Sequence, residues 1–250
     1  MDTKQIILGA VILVILVVLY FWIFSDNSQV NLLTLAKANV TQILAAKSVP
    51  NSYEFTWSFW VHMNDYVQAY GKKKYILFRK PASEQKGEDK HTIAMYLNPF
   101  QSDLTVSLHT QTKDNPEKRS TCTVPNIPLQ KWTNVLVSYR NRGLDIYIDG
   151  KLTKTCVLAS NLTLPKESQE VLMFPSLDKI NGSGGDGSEQ GFSGFLGTLR
   201  YYTRSVQPRE AYAIYKEGYS GGNWLSDLFN KYKLKIAFLE DNKEINSFLL

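Results

Sequence analysis

The stretch VPNIPLQKWTNVLVSYRNRGLDIYIDGKLTKTC, residues 124–156, decides the fold class of the chain. It contains two runs in which apolar and polar residues alternate, NVLVSY at 134–139 and LDIYI at 144–148. Alternation with a period of two is typical of strands that bury one face against a core. The stretch therefore predicts two neighbouring antiparallel strands.

Two turn sequences border the second of these runs. Asn141-Arg142-Gly143 lies between the runs, and Asp149-Gly150 follows LDIYI. Tight hairpin turns need positive φ, which glycine adopts without steric cost. We therefore interpret Asp149 as a turn residue rather than as a ligand carboxylate, and we expect Ile146 and Tyr147 on opposite faces of the strand.

Further segments with strand patterns follow one another through the middle of the chain. Turn residues separate them at the spacing expected of a β-sandwich. Only PREAYAIYKEG at 208–218 has a helical pattern, with proline in its first turn and glycine at its C-cap. The sequence thus predicts an all-β fold with one short helix. The other predicted strands are residues 53–61, 74–79, 92–97, 103–109 and 194–202.

Composition limits the class of partner. The chain has 250 residues, of which 44% are hydrophobic, enough for one substantial β domain. The formal net charge of +5 is mild, and the lysines are scattered apart from Lys72-Lys73-Lys74 beside Gly71, which we interpret as a solvated turn. The charge therefore does not favour nucleic acid as a partner.

The N-terminus predicts a membrane anchor. IILGAVILVILVVLYFWIF, residues 6–24, contains no charge and no proline, and as a helix it would extend about 28 Å, enough to cross the hydrocarbon core. A cleaved signal peptide is the alternative, but FSDNS is a poor cleavage site. The positive-inside rule favours a cytosolic N-terminus. The predicted anchor residues include Ile6, Leu13, Leu19, Trp22 and Phe24.

Four regions follow from these patterns. They are the anchor at 1–25, a helical stalk or linker at 26–50, the β-sandwich at 51–220 and a C-terminal extension at 221–250. Leucine and alanine recur at helical spacing in the stalk. Alternation at 232–239 predicts an added strand in the extension.

The order of these segments resembles the concanavalin A-like lectin/glucanase superfamily, and within it the laminin G-like domains. FTWSFWVHM (55–63) is similar to the family's opening strand, and IPLQKWTNVLVSYRNRGLDIYIDGKL (127–152) to its central hairpin. FSGFLGTLRYYTRSVQPREAYAIYKEG (192–218) is similar to its closing strand and helix. The resemblance covers about residues 53–218 and implies a jelly-roll β-sandwich of two antiparallel sheets, here with an N-terminal transmembrane helix.

Residues 132–156, with the flanking cysteines and the single N-terminal span, also resemble the versions of this domain in large DNA viruses of algae and amoebae. This resemblance implies a virion membrane or minor capsid protein at the interface between inner membrane and capsid. Its expected partners are the lipid membrane and other structural, capsid-type proteins.

The laminin G-like topology also bears on the two cysteines. In that topology the strand that contains Cys122 and the strand that ends at Cys156 can run side by side, so the resemblance implies a disulfide between them. Such a bond would close a loop of about 34 residues and contribute roughly 3–4 kcal/mol in the chain-entropy model. Two buried free thiols are the alternative.

Catalytic chemistry is not evident in the sequence. Glycosidases of the superfamily need two carboxylates on one face, in a Glu-x-Asp-x-x-Glu strand motif, and the chain lacks that motif. His62, His91 and His109 lie in separate segments without metal-ligand spacing. We therefore expect no enzyme, no catalytic residue, no resident metal and no cofactor. Calcium bound through Asn181 and Asp186 in the glycine-rich segment 181–191 is the alternative that we keep open.

The sequence thus predicts a non-catalytic binding or structural protein that links a membrane to a protein shell. The alternative is a lectin-like protein that binds glycans with its loops, in a calcium-dependent way if the glycine-rich segment holds the ion. Phe100 and Phe192 would then be stacking platforms; otherwise they belong to the core. The candidate ligand residues are Asn98, Phe100, Asn181, Asp186 and Phe192.

Overall fold

The computed structural model describes the sandwich and parts of both termini. The described residues are 28–81, 87, 89–110, 119–164, 169–182, 191–219, 235–240 and 243–249, together with Ile12, Ile15, Leu16 and Leu19. For 235–240 and 243–249 the description covers the backbone.

Two antiparallel six-stranded sheets make up the fold, as the sequence predicts. The first sheet contains Gln29–Lys37 (β1), Phe55–Met63 (β3), Thr133–Arg140 (β8), Gly143–Ile148 (β9), Lys151–Val157 (β10) and Gly194–Tyr202 (β12). The second contains Gln42–Leu44 (β2), Lys74–Arg79 (β4), Ile93–Leu97 (β5), Leu104–His109 (β6), Arg119–Val124 (β7) and Val171–Met173 (β11). The strand orders are β1-β12-β3-β8-β9-β10 and β2-β11-β4-β5-β6-β7.

The facing sides of the two sheets form the main core. Large side chains such as Trp57, Phe59 and Met95 are almost fully buried there. Alternation along β9 places Ile146 in this core, whereas Tyr147 packs on the opposite face, which confirms the prediction from LDIYI.

Two short helices cover the outer faces of the sheets. Leu177–Asn181 (α1) packs Ile180 against Tyr75 and Phe78 of the second sheet. Pro208–Lys216 (α2), the predicted helix, packs Ala211 and Ile214 on the first sheet. A 3₁₀ turn at Ala46–Ser48 precedes β3. The sequence patterns do not predict α1 or the three-residue strand β11.

The hairpin turns use positive φ as expected, but not always at glycine. Asp149 and Gly150 have φ values of 50° and 73° in the β9–β10 turn. Gly150 is required for a second reason, because an added Cβ would lie 2.9 Å from the Tyr215 Cβ atom of α2. In the β8–β9 turn the positive φ values belong to Asn141 and Arg142 (46° and 70°) rather than to the predicted Gly143.

The predicted helical stalk is wrong where residues 26–50 are described. Gln29–Lys37 is strand β1, which pairs with β12, and Gln42–Leu44 is strand β2, which pairs with β11. The sandwich therefore begins at Gln29 and not at residue 51. The leucines and alanines suit a strand as well as a helix, and pairing with β12 selects the strand.

The open sides of the sandwich are closed in two different ways. On one side, residues 38–41 carry the chain directly from β1 of the first sheet to β2 of the second. On the other side, the disulfide Cys122–Cys156 joins the edge strands β7 and β10. Its Cα atoms are 6.0 Å apart, and the predicted pairing of the two cysteines is confirmed.

The two termini are described only in part. Ile12, Ile15, Leu16 and Leu19 are helical and exposed, whereas Ile6, Leu13, Trp22 and Phe24 of the predicted anchor lie outside the described residues. Within the described residues, no helix has the length and apolar character needed to cross a membrane.

The predicted strand at 232–239 corresponds to Lys235–Glu240 (β13). It pairs with Lys243–Leu249 (β14) in a separate two-stranded sheet. Its addition to the sandwich stays a prediction.

Candidate functional site

The strand ends define two poles of the sandwich. β1 runs from Gln29 to Lys37, antiparallel to β12, so the N-terminal segment joins the sandwich at one pole. There the Ser28 carbonyl accepts a hydrogen bond from the Thr203 N–H (2.9 Å), and the Arg204 Nε donates to the Ser28 Oγ (2.9 Å). We call this end the N-terminal pole and the opposite end the distal pole.

Three loops meet at the distal pole, formed by residues 64–73, 98–103 and 125–132. Backbone hydrogen bonds join them: Ile127 N–H donates to the Ser102 carbonyl (2.8 Å), and Gln130 N–H donates to the Met63 carbonyl (2.7 Å). The Asp103 carboxylate accepts a bond from the Asn126 N–H (3.0 Å). The loops therefore form one connected surface rather than independent turns.

Tyr66 and Lys74 fasten the first two loops together from beneath. The Tyr66 hydroxyl donates to the carbonyl groups of Asn98 (2.5 Å) and Gln101. Burial and the nearby Asp103 carboxylate raise the pKa of Tyr66 well above its usual value, so the hydroxyl keeps its proton.

Lys74 is fully buried and has no carboxylate partner among the described contacts. Its ammonium group donates to the carbonyl groups of Ala69 (3.0 Å) and Pro99 (3.2 Å) and lies 4.0 Å from the centre of the Tyr66 ring. Burial lowers the pKa of this amine. Our interpretation of Lys72-Lys73-Lys74 as a solvated turn is therefore wrong for Lys74.

Apolar side chains project from all three loops into solvent. Val67 is 78% exposed, Tyr70 66%, Phe100 65% and Leu129 42%. The rings of Tyr70 and Phe100 meet edge to face, with centroids 5.5 Å apart. Exposed apolar side chains gathered on a rigid surface are typical of interaction sites. We call these four residues the distal apolar residues.

Asn98 and Phe100 lie in this surface, with Asn98 half-buried and Phe100 exposed. The Asn98 Oδ1 accepts a hydrogen bond from the Thr105 Oγ1 (2.9 Å). The backbone N–H of Asn98 donates to the Asp103 carbonyl (2.9 Å). The amide side chain of Asn98 therefore supports the loop. Phe100 is exposed, which excludes the alternative that it is a core residue.

The other predicted ligand residues are not brought to this surface. Phe192 is completely buried and packs edge to face against Phe174, 5.9 Å between ring centroids, so its predicted stacking role is wrong and the core alternative holds. Asn181 ends α1 on the outer side of the second sheet. Asp186 lies outside the described residues.

The described residues offer no arrangement suited to holding a metal ion. No group of three or more His, Cys, Asp or Glu side chains within them is placed to hold a metal ion. Asp149 serves the turn, as predicted: its carboxylate accepts bonds from the Asn134 N–H (2.9 Å) and the Lys131 Nζ (3.0 Å). His91 is buried, with its Nε2 2.8 Å from the Ser107 Oγ. Calcium at the glycine-rich segment stays a prediction.

The sequence patterns did not identify five residues that form or support the distal surface: Tyr66, Val67, Tyr70, Lys74 and Leu129. The available signal for Lys74 was its place at the start of the predicted strand KYILFR rather than in the turn before it. The exposed residues carried no such signal, since single apolar residues in loops are common in any sequence.

Comparisons with known proteins agree with the fold. A mutant of the domain named HCR/D aligns with a TM-score of 0.51 and 12% identity, over 76% of this chain and 44% of that one. The binding domain of botulinum neurotoxin DC, solved with rat synaptotagmin II, gives a TM-score of 0.47 with 14% identity, over 66% of this chain and 36% of that one. The agreement rests on the HCR/D structure, and at 12% identity that likeness concerns the fold alone.

A structure of botulinum neurotoxin type C, whose cell entry depends on two ganglioside molecules, gives a TM-score of 0.45 with 16% identity, over 66% of this chain and 35% of that one. The chain thus spans less than half the length of these structures. Comparison with curated proteins finds no match. The family model Laminin_G_3 matches residues 36–211, most of the sandwich. The chain therefore belongs to the concanavalin A-like lectin/glucanases superfamily, with a laminin G-like domain.

Proposed function

We propose that this chain is a non-catalytic docking protein that links a membrane to a protein shell. The N-terminal segment supplies the membrane anchor, and the distal apolar residues dock a shell protein. The observation that supports this proposal is the position of these residues. Val67, Tyr70 and Phe100 lie at the pole opposite to Ser28, where the N-terminal segment joins the sandwich.

The distance between the poles suits a bridging role. β1 has nine residues and runs from one pole to the other, so the sandwich holds its two ends about 30 Å apart. An anchor at one pole then presents the other pole away from the bilayer. The fastening by Tyr66 and Lys74 keeps the distal loops in one conformation, which lowers the entropic cost of docking.

A protein partner fits the distal surface better than a glycan does. Sugar recognition requires polar groups that converge on the ligand beside an aromatic platform. At this pole the polar groups of Tyr66, Asn98 and Asp103 are bonded within the loops. The exposed side chains of these loops are the distal apolar residues together with polar ones such as Gln101 and Lys72. A surface that combines exposed apolar side chains with polar ones is typical of protein–protein interfaces.

The shell that we propose is that of a large DNA virus, with the sandwich at the interface between inner membrane and capsid. This part of the proposal is supported by the resemblance of residues 132–156 to the domains of such viruses. The membrane part is supported by the uncharged stretch 6–24.

Cross-linking with mass spectrometry on the intact membrane or particle that contains this protein tests the proposal. Recurrent links from Lys72 and Lys131, at the distal pole, to one abundant shell protein are expected. Lys80 and Lys90, which flank strands β4 and β5 at the N-terminal pole, serve as matched controls and should give few such links. Links confined to copies of the chain itself would exclude the docking role.

Variants identify the surface directly. Replacing Tyr70 and Phe100 together by serine should weaken binding to the isolated shell protein at least tenfold, since central aromatic residues carry most interface energy. Tyr53→Ser removes an equally exposed aromatic residue at the N-terminal pole (79% exposed) and should leave binding unchanged. Release of the partner by added sugar, with no effect of the Tyr70 and Phe100 changes, would favour the lectin instead.

A further inference from the structure

The four edge strands of the sandwich differ in how well they are protected. β7 and β10 are joined by the disulfide, and the Lys154 Nζ on β10 also donates to the Thr123 carbonyl of β7 (2.8 Å). β2 has only three residues. β1 is an edge of nine residues without proline, and its one charge, Lys37, is at the end. Long edges without charges or proline readily pair with another strand.

The hydrogen-bonding groups on the free side of β1 can be assigned from the ladder. The Ala38 N–H donates to the Gly194 carbonyl of β12 (2.9 Å). Peptide groups alternate in direction along an antiparallel strand, so the Ala36 N–H also points to β12, whereas the N–H and C=O groups of Leu35 and Lys37 point to the free edge. The Leu35 side chain is 59% exposed beside them.

We propose that the C-terminal hairpin β13–β14 pairs with this free edge and extends the first sheet from six strands to eight. The hairpin forms a two-stranded sheet of its own in the structure, and an isolated hairpin is marginally stable in water. Its strands have six and seven residues, enough to cover most of β1.

The chain leaves the sandwich next to β1, so the hairpin has only a short distance to cover to reach that strand. The Tyr219 carbonyl accepts a hydrogen bond from the Thr198 Oγ1 on β12. Gly197, the neighbour of Thr198, is the cross-strand partner of Leu35. The connecting residues 220–234 can span up to about 50 Å, many times the width of one strand.

The sequence of the hairpin contains the apolar residues that such a position needs. Its backbone register pairs Ile236 with Phe248 and Phe238 with Asn246. Leu35 and Val40, 59% and 51% exposed, lie along the side of the sandwich that the hairpin would cover. Pairing would therefore bury apolar surface on both elements and satisfy the edge hydrogen bonds of Leu35 and Lys37.

Amide hydrogen exchange on the full chain in lipid nanodiscs tests this pairing, with neighbouring amides of β1 as internal controls. The amides of Leu35 and Lys37 should be protected about as strongly as those of Ala36 and Ala38. A variant with Phe238→Asp and Phe248→Asp should lose at least tenfold of the protection at Leu35 and Lys37, because the hairpin is released. Ala36 and Ala38, bonded to β12, should not change.

A variant of β1 tests the same pairing without changing the hairpin. Leu35→Pro removes one N–H from the free edge without breaking the ladder to β12, and proline is tolerated on edge strands. Exchange in β13 and β14 should then rise at least tenfold. Free exchange of Leu35 and Lys37 in the unaltered chain would overturn the proposal. Protection that grows with protein concentration would overturn it as well, by identifying a second copy as the partner of β1.

Discussion

At the scale of single residues, Lys74 supports the distal surface more than any exposed side chain there. Its ammonium group holds the Ala69 and Pro99 carbonyl groups of two different loops. Lys74→Met keeps the aliphatic stem and removes these bonds, so we expect the free energy of unfolding to fall by about 1–3 kcal/mol. Lys73→Met, one residue away, should change it by less than about 0.5 kcal/mol. Chemical denaturation of both variants measures the difference.

The pH dependence of the Lys74 effect provides a second check. Burial lowers the pKa of this amine below its usual 10.5, so between the two values the unfolded chain binds more protons than the folded chain. Stability of the natural protein should therefore rise with pH across this alkaline window relative to Lys74→Met. A constant difference between the two proteins up to pH 10.5 would contradict the assigned burial of the charge.

At the scale of elements, the disulfide fixes the one side of the sandwich that the chain does not close by itself. Cys122 and Cys156 are separated by 34 residues, so in the chain-entropy model the bond contributes about 4 kcal/mol. A reductant should therefore lower the midpoint of chemical denaturation, which tryptophan fluorescence measures. The variant with Cys122→Ala and Cys156→Ala should show the lower midpoint with or without reductant. Equal midpoints for the oxidised and reduced natural chain would refute this role.

The strands that local sequence predicts are those with an apolar or alternating run bounded by turn residues. β4 and β12 match the predicted segments 74–79 and 194–202 to the residue, and β9 differs by one. β1 was assigned to a helix because its leucines also fit helical spacing. Its strand state depends on β12, more than 150 residues away in the chain, which no local pattern records. β11 is too short, at three residues, to show any period.

Less of the candidate site than of the fold could be predicted, because its residues also depend on contacts between segments that are distant in the chain. Phe100 lies in an exposed loop, and its role as a ligand residue stays a prediction. Phe192 was wrongly assigned a ligand role, because its neighbouring glycines indicate a loop while its burial depends on Phe174 from another segment. The role of Lys74 rests on carbonyl groups of residues 69 and 99, which only the folded chain brings together.

At the scale of the whole molecule, the two poles make the orientation on a membrane measurable. If residues 6–24 anchor the chain as proposed, Tyr53 lies near the bilayer and Tyr70 lies farther away by about the length of β1, roughly 30 Å. Both side chains are exposed, at 79% and 66%, and suit labelling through Tyr53→Cys and Tyr70→Cys. The two natural cysteines are bonded to each other and do not compete for the label.

Energy transfer to an acceptor lipid in nanodiscs should therefore be much more efficient from position 53 than from position 70. Equal transfer from both positions would mean that the sandwich lies on its side along the bilayer. The distal apolar residues would then lie as close to the bilayer as Tyr53 does, and a link to a shell would require a different surface of the sandwich.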